Sequence, residues 1–170
     1  MIRKRWALGL AATVAVSWGT AVPVLAQEAG IAVGTRAPAV TVKDLDGTPV
    51  NLADYLGTKP VLLEFWATWC EVCEQLLPAV RKAHAEFGDR VAFFGVNVTV
   101  NQTPARVRRY LEEHRPPFRT LYDEEGVSTR AYLAPTTSYV VVVDGAGRVA
   151  YTGTGGAQDL AGVLRRVVAR

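Results

Sequence analysis

The chain has 170 residues and carries 19 basic and 16 acidic side chains. Three of the basic residues lie within the first 26 positions, so residues 27–170 hold equal numbers of each sign. Because of this balance the basic isoelectric point is no sign of a nucleic-acid partner, and we expect none. The length suits one domain, which can bury a stable hydrophobic core without the help of disulfides.

The N-terminus has the pattern of a secretory signal. A basic cluster, Arg3 to Arg5, precedes an apolar stretch over residues 6–22, and Val24-Leu25-Ala26 follows. We therefore predict a signal peptide over 1–26, and we expect an exported protein, in the periplasm or at the extracytoplasmic face of the membrane. Because the apolar run is just long enough to cross a bilayer, an uncleaved membrane anchor through residues 6–22 is the alternative.

A short linker is expected over 27–33, and a single domain over 34–170. Its apolar spacing predicts strands that alternate with helices early and a hairpin late, which is typical of an α/β domain with a mixed sheet. Pro78 lies inside a predicted helix, where we expect a kink. The predicted elements, in chain order, are a hairpin over 40–50, a helical turn over 52–56, a strand over 61–66, a helix over 70–87, a strand over 91–98, a helix over 103–114, a strand over 118–122, a helix over 127–133, two strands over 136–143 and 148–152, and a helix over 157–169.

Both cysteines of the chain, Cys70 and Cys73, lie in the stretch FWATWCEVC. A disulfide between residues three apart closes so small a loop that it would stabilise the fold by only about 2 kcal/mol. A zinc site needs four ligands, and no second pair follows at a suitable spacing. Haem attachment needs a histidine after the second cysteine, where this chain has Glu74. We expect no metal and no cofactor, and we interpret the pair as a redox-active dithiol.

The position of the pair supplies a mechanism. If the strand ends at Trp66 and the helix begins at Cys70, the Cys70 Sγ faces free amides and the positive end of the helix dipole. These stabilise a thiolate and lower its pKa from about 8.5 toward 7. Cys73 should be more buried and should resolve the mixed disulfide. Glu64, inside a buried strand, should have a raised pKa and act as a general base, unless it pairs with a Lys or Arg at a strand edge.

With these residues in place, the chain resembles the thioredoxin superfamily, and within it the exported TlpA/ResA-like thiol-disulfide oxidoreductases, which include cytochrome c maturation proteins. The resemblance covers about residues 34–170. It implies a thioredoxin fold, with a mixed central sheet flanked by helices, an N-terminal β-hairpin and an inserted helix-strand unit over 101–122. It is carried by four pieces of sequence: Gly34-Thr35-Arg36-Ala37-Pro38, Phe65-Trp66-Ala67-Thr68-Trp69-Cys70-x-x-Cys73, Pro78, and Ala134-Pro135-Thr136-Thr137.

The resemblance also implies a binding surface. It places Pro135 beside the cysteines with a cis peptide bond, and it assigns to the backbone of Ala134 the pairing with a bound substrate strand. Trp66, Trp69 and Pro135 would shape the docking surface, and Glu64 occupies the position of the buried acid that serves the resolving thiol. The implied partners are protein thiols and disulfides, with a membrane thiol-reductant transporter that keeps the protein reduced.

Two positions depart from the family pattern. Val72 replaces the proline that usually precedes the second cysteine, and Leu76 replaces a glutamate of several cytochrome c maturation members, which weakens that assignment. A peroxiredoxin is not expected, because Thr68 lies two residues before Cys70 where that pattern needs three. The sequence thus predicts a thiol-disulfide oxidoreductase; the motif leaves its direction open, and the resemblance favours a reductant. The alternatives are a non-enzymatic redox-sensing or binding module and a Cu(I) metallochaperone that uses the same two thiols.

Overall fold

The computed structural model describes residues 29–169. The predicted signal peptide over 1–26 and the alternative anchor over 6–22 lie outside the described residues. Within 29–169, no helix combines the length and the hydropathy that a membrane crossing requires.

A seven-stranded mixed sheet forms the centre of the domain. Its strands follow the order β2-β1-β5-β4-β3-β6-β7, with β3, β4 and β5 parallel to one another and every other neighbouring pair antiparallel. The predicted α/β fold with a mixed sheet and an N-terminal hairpin is confirmed. The strands are β1 (Thr41–Lys43), β2 (Pro49–Asn51), β3 (Val61–Trp66), β4 (Ala92–Val98), β5 (Arg119–Asp123), β6 (Tyr139–Val143) and β7 (Val149–Thr154).

Four helices flank the sheet, and side chains cap three of them. Thr103 accepts the N–H of Arg106 at the start of the second helix, and Asp159 accepts the N–H of Gly162 at the start of the fourth. The first helix continues through Pro78, and the expected kink there stays a prediction. The helices are α1 (Glu71–Phe87), α2 (Pro104–His114), α3 (Val127–Ala131) and α4 (Leu160–Val168), and a short 3-10 turn spans Leu52–Asp54.

The predicted strand over 136–143 begins later than expected, at Tyr139. Residues 136–138 form a turn, because Ser138 has a φ of 58°, a left-handed conformation that a strand does not contain. The helix predicted over 127–133 ends early for the same reason, since Leu133 has a φ of 50°. Both corrections fall in the loop that joins α3 to β6.

Strand β3 is buried along its whole length, because the sheet is covered on both faces. Val61, Leu63 and Phe65 belong to one core cluster, together with residues of the hairpin, β4 and β6. Leu62 belongs to a second cluster, which α1 and α4 cover. Because side chains alternate along a strand, Glu64 must share the face of Leu62.

The segment before the hairpin contacts the sheet. Ile31 is buried, and its N–H donates to the Tyr139 hydroxyl at 3.0 Å. The N–H of Gly34 donates to the carbonyl oxygen of Val149 at 2.7 Å. Part of the expected linker over 27–33 is therefore attached to the domain, and the boundary at residue 34 stays a prediction.

The helix-strand unit over 101–122 is present as α2 and β5. The ring of Phe118, just before β5, covers Gly95 of β4, and an added Cβ at Gly95 would lie 2.2 Å from the nearest ring atom. The Phe118 ring also packs on Trp66, with 5.7 Å between the ring centroids. The Phe118 ring can therefore pack here only because residue 95 has no side chain.

We expect Gly95→Ala to destabilise the fold by about 1 to 3 kcal/mol, because the new methyl group overpacks the site and displaces the Phe118 ring. Denaturant unfolding gives the free energy. Gly145→Ala is the matched control, since nothing lies within 4 Å of its added Cβ. Equal stability of the two variants would contradict this account of the packing.

Candidate active site

Cys70 and Cys73 form a disulfide at the start of α1. Cys70 is the N-cap residue, and its Sγ accepts the N–H of Cys73 at 3.1 Å. This is the helix N-terminal position that the sequence predicted, where free amides stabilise negative charge on sulfur. The two residues are 6% and 4% exposed, so the expected difference in burial is small.

The inserted unit covers the disulfide from one side. Trp66, Val107 and Tyr110 share a buried cluster with both cysteines. The Trp66 ring lies 5.0 Å from the Tyr110 ring, centroid to centroid. Trp66 was expected to bind substrate, yet it is 1% exposed, so it supports the site from beneath its surface.

Apolar side chains around the disulfide reach solvent. Trp69 is 48% exposed and Val72, between the cysteines, is 42% exposed. The Trp69 Nε1–H donates to the carbonyl oxygen of Val100 at 2.8 Å, which places Val100 at the same rim. Large exposed apolar groups beside a reactive bond are suited to contact another polypeptide.

Glu64 is 2% exposed, in the middle of β3 between Gly95 of β4 and Val140 of β6. Burial raises the pKa of Glu64 from its ordinary value of 4.5 to about 8. The alternative of an ion pair is not supported, since none of the salt bridges within residues 29–169 involves Glu64. Its Oε2 has no hydrogen-bond partner in the same part of the chain.

Tyr110 belongs to the cluster that covers the disulfide. Burial raises the pKa of Tyr110 to about 12, and the charges of Glu74 and Glu64 add to this rise while Arg81 opposes it. Glu64 lies two residues before Trp66 on β3, so its side chain is on the same face of the sheet as the Trp66 side chain that packs with both cysteines.

Asn97 is a polar residue of this site that the sequence analysis missed. It is fully buried at the end of β4, and its Nδ2 donates to the carbonyl oxygen of Trp66 at 3.4 Å. Its Oδ1 and the Trp66 Nε1 have no hydrogen-bond partner among the described residues. The one signal in the sequence was an amide inside the apolar run VAFFGVNV.

The expected cis bond at Pro135 is wrong, because no peptide bond in residues 29–169 is cis. The chain instead turns at Leu133 and Ser138, which both have positive φ, and a trans bond between them is the lower-energy form for an X–Pro bond. Ala134 packs against the core, whereas Pro135 is exposed. Its contact with substrate stays a prediction.

The two histidines have packing roles. His84 packs edge-on against Phe93, and His114 stacks on Tyr110 with 3.9 Å between the ring centroids. In the described part of the chain, no three His, Cys, Asp or Glu side chains come together in a way that could hold a metal ion.

A Cys-x-x-Cys disulfide at a helix N-terminus, next to the central strand of a mixed sheet with a buried carboxyl group, defines a thiol-disulfide oxidoreductase of the thioredoxin fold. The AhpC/TSA family matches residues 33–152, and the chain belongs to this family. The predicted membership of the thioredoxin-like oxidoreductases is thereby confirmed.

Individual proteins agree with this class. The chain is 31% identical to the thioredoxin-like protein YneN of Bacillus subtilis (strain 168), over 89% of this chain and 91% of that protein. It is 27% identical to the thiol-disulfide oxidoreductase ResA of Bacillus thuringiensis subsp. konkukian (strain 97-27), over 70% and 69%. The solved thioredoxin domain of a thiol-disulfide oxidoreductase from Bacteroides vulgatus superimposes with a TM-score of 0.70 at 25% identity, over 80% of this chain and 97% of that one.

Glu64→Gln should stabilise the oxidised protein at alkaline pH. Since the carboxyl pKa rises from 4.5 to about 8 on folding, the folded state binds the additional proton between these values, and stability falls as pH rises through them. Above pH 8 we expect the variant to be more stable by about 3 to 5 kcal/mol, with a smaller gain near pH 5.

Denaturant unfolding at pH 5, 7 and 9 measures this gain. Glu113→Gln, at an exposed position of α2, serves as the control and should leave the pH dependence of the wild type unchanged. A Glu64→Gln gain that does not depend on pH would be inconsistent with a buried carboxyl of raised pKa.

Proposed function

We propose that this protein is an exported reductase of disulfides in other proteins. The observation that carries the proposal is the Cys70 Sγ at the N-cap of α1, with Cys73 one turn behind it. In the reduced form, the Cys70 thiolate attacks a substrate disulfide. A bond from Cys70 to one substrate sulfur forms, the substrate S–S bond breaks, and the other substrate sulfur leaves as a thiolate.

Cys73 completes the reaction. Its thiolate attacks the Cys70 sulfur of the mixed disulfide, and the second substrate thiolate leaves. The substrate gains two electrons and becomes a dithiol, while the enzyme gains the Cys70–Cys73 disulfide. Glu64 takes the proton of Cys73, a role supported by its burial and by a pKa raised to about 8, near that of a thiol.

The substrate would bind across the rim of the disulfide. Trp69 is exposed there and supports an apolar contact with a polypeptide. Ala134 and Pro135 remain the proposed backbone and side-chain contacts, in the loop before β6. Trp66 would act indirectly, because its ring packs against Tyr110 of α2 and against Phe118 and keeps both in place beside the disulfide.

The proposals that the protein is exported and that it reduces its substrates rest on the N-terminal pattern and on the relatives. The basic and apolar sequence over 1–26 supports export, and several relatives are named ResA. We propose a membrane thiol-reductant transporter as the source of electrons. A role in cytochrome c maturation is the narrower form of the proposal, and Leu76 in place of a glutamate argues against it.

Cys73→Ala should trap substrates as mixed disulfides on Cys70, because the resolving thiol is absent. Captured proteins, released by dithiothreitol and identified by mass spectrometry, should be exported proteins with cysteine pairs. The Cys70→Ala/Cys73→Ala double variant is the control and should capture none.

Insulin reduction by the wild type, lost in Cys70→Ala, should accompany the trapping result. Capture of the same proteins by the double variant, or of cytosolic proteins alone, would contradict the proposal. A wild type that fails to reduce insulin but binds Cu(I) tightly through both thiols would favour the metallochaperone, and one that does neither would favour a sensing or binding module.

A further inference from the structure

Gln158 lies just before α4 and is a buried polar side chain that the mechanism above does not use. It is 8% exposed. Its Nε2 donates to the carbonyl oxygens of Gly155 at 2.7 Å and Ser138 at 3.3 Å, and its Oε1 accepts the Tyr151 hydroxyl at 3.1 Å. Both amide hydrogens are therefore used, and the side chain has one defined orientation.

The two carbonyl groups that Gln158 joins belong to different loops. Ser138 ends the loop before β6, and Gly155 follows β7. The N–H of Gly155 donates to the carbonyl oxygen of Ser138 at 3.2 Å, and the Ser138 Oγ donates to that of Gly155 at 3.1 Å. Ser138 keeps an unfavourable φ of 58° within these contacts. Gln158 thus joins the two loops through its hydrogen bonds to Ser138 and Gly155.

The loop after β7 also touches the disulfide turn. A Cβ added to Gly156 would lie 3.2 Å from the carbonyl oxygen of Val72 and 2.7 Å from the Cβ of Gln75. Val72 is one of the two residues between the cysteines. The loop therefore packs directly on the first turn of α1, with glycine required by the close approach.

These contacts form a continuous connection from the cysteine turn, through Gly156 and Gly155, to Ser138 and the loop of Ala134 and Pro135. We propose that Gln158 is a positioning residue for protein substrates, which holds the loop before β6 at a fixed place relative to the disulfide. The inference rests on the proposed role of that loop in substrate binding. A polypeptide must contact both parts at once, whereas a small disulfide needs only Cys70.

The test compares a protein substrate with a small one. The reduced protein reacts with insulin or with oxidised glutathione, and tryptophan fluorescence or quenched-flow alkylation gives each second-order rate constant. Gln158→Met keeps the side-chain volume but loses both N–H donors. We expect its rate constant with insulin to fall about tenfold, an effect of the size that two lost hydrogen bonds cause. The rate constant with oxidised glutathione should change less than about twofold.

Gln158→Glu is the second variant, in case the first does not fold, and should show the same selective loss. Tyr151→Phe is the matched control, because it removes one hydrogen bond of Gln158 but leaves the two that join the loops. It should react like the wild type with both substrates.

Three outcomes would overturn the inference. They are an unchanged insulin rate in a folded variant, a parallel loss with both substrates, or a selective loss in Tyr151→Phe as large as in the Gln158 variants. A wild type that reduces oxidised glutathione but not insulin would instead overturn the proposed function, and this inference with it.

Discussion

The site depends on the burial of strand β3 between two core clusters. The strand pairs with β4 on one side and with β6 on the other, so it cannot shift without breaking both ladders. Its end at Trp66 fixes the short connection to Cys70, where α1 begins. The same burial removes Glu64 from water. One element therefore positions the disulfide and sets the protonation of the carboxyl group behind it.

The two ionisable groups to which we assign the reaction lie in opposite environments. Cys70 lies at a helix N-terminus, which favours a negative charge, whereas Glu64 lies among apolar groups, which disfavour it. In the reduced protein the helix N-terminus would favour the Cys70 thiolate, and we propose that the carboxyl group, whose pKa burial raises to about 8, exchanges a proton with Cys73 near neutral pH. In acid-base catalysis generally, different environments shift the pKa values of neighbouring groups apart, so that each group takes a different role.

Local signals predicted most of the fold. The hairpin over 40–50, the strand over 61–66 and the helix over 103–114 were each predicted from near neighbours in the sequence, and each is present. The conformation of the loop before β6 could not be predicted, because contacts between Ser138 and Gly155 determine it. The burial of Asn97 and Gln158 was missed for the same reason, since Asn97 bonds to Trp66, 31 residues away, and Gln158 bonds to Ser138, 20 residues away.

We propose above all that Glu64 takes the proton of the resolving thiol. The most direct test of this proposal is the rate at which Cys73 releases a preformed mixed disulfide on Cys70, measured in single turnovers from pH 6 to 9 for the wild type and Glu64→Gln. The account predicts release at least about tenfold slower in the variant near neutral pH, with a smaller difference at high pH, where the thiol ionises unaided. Identical profiles in the two proteins would contradict it.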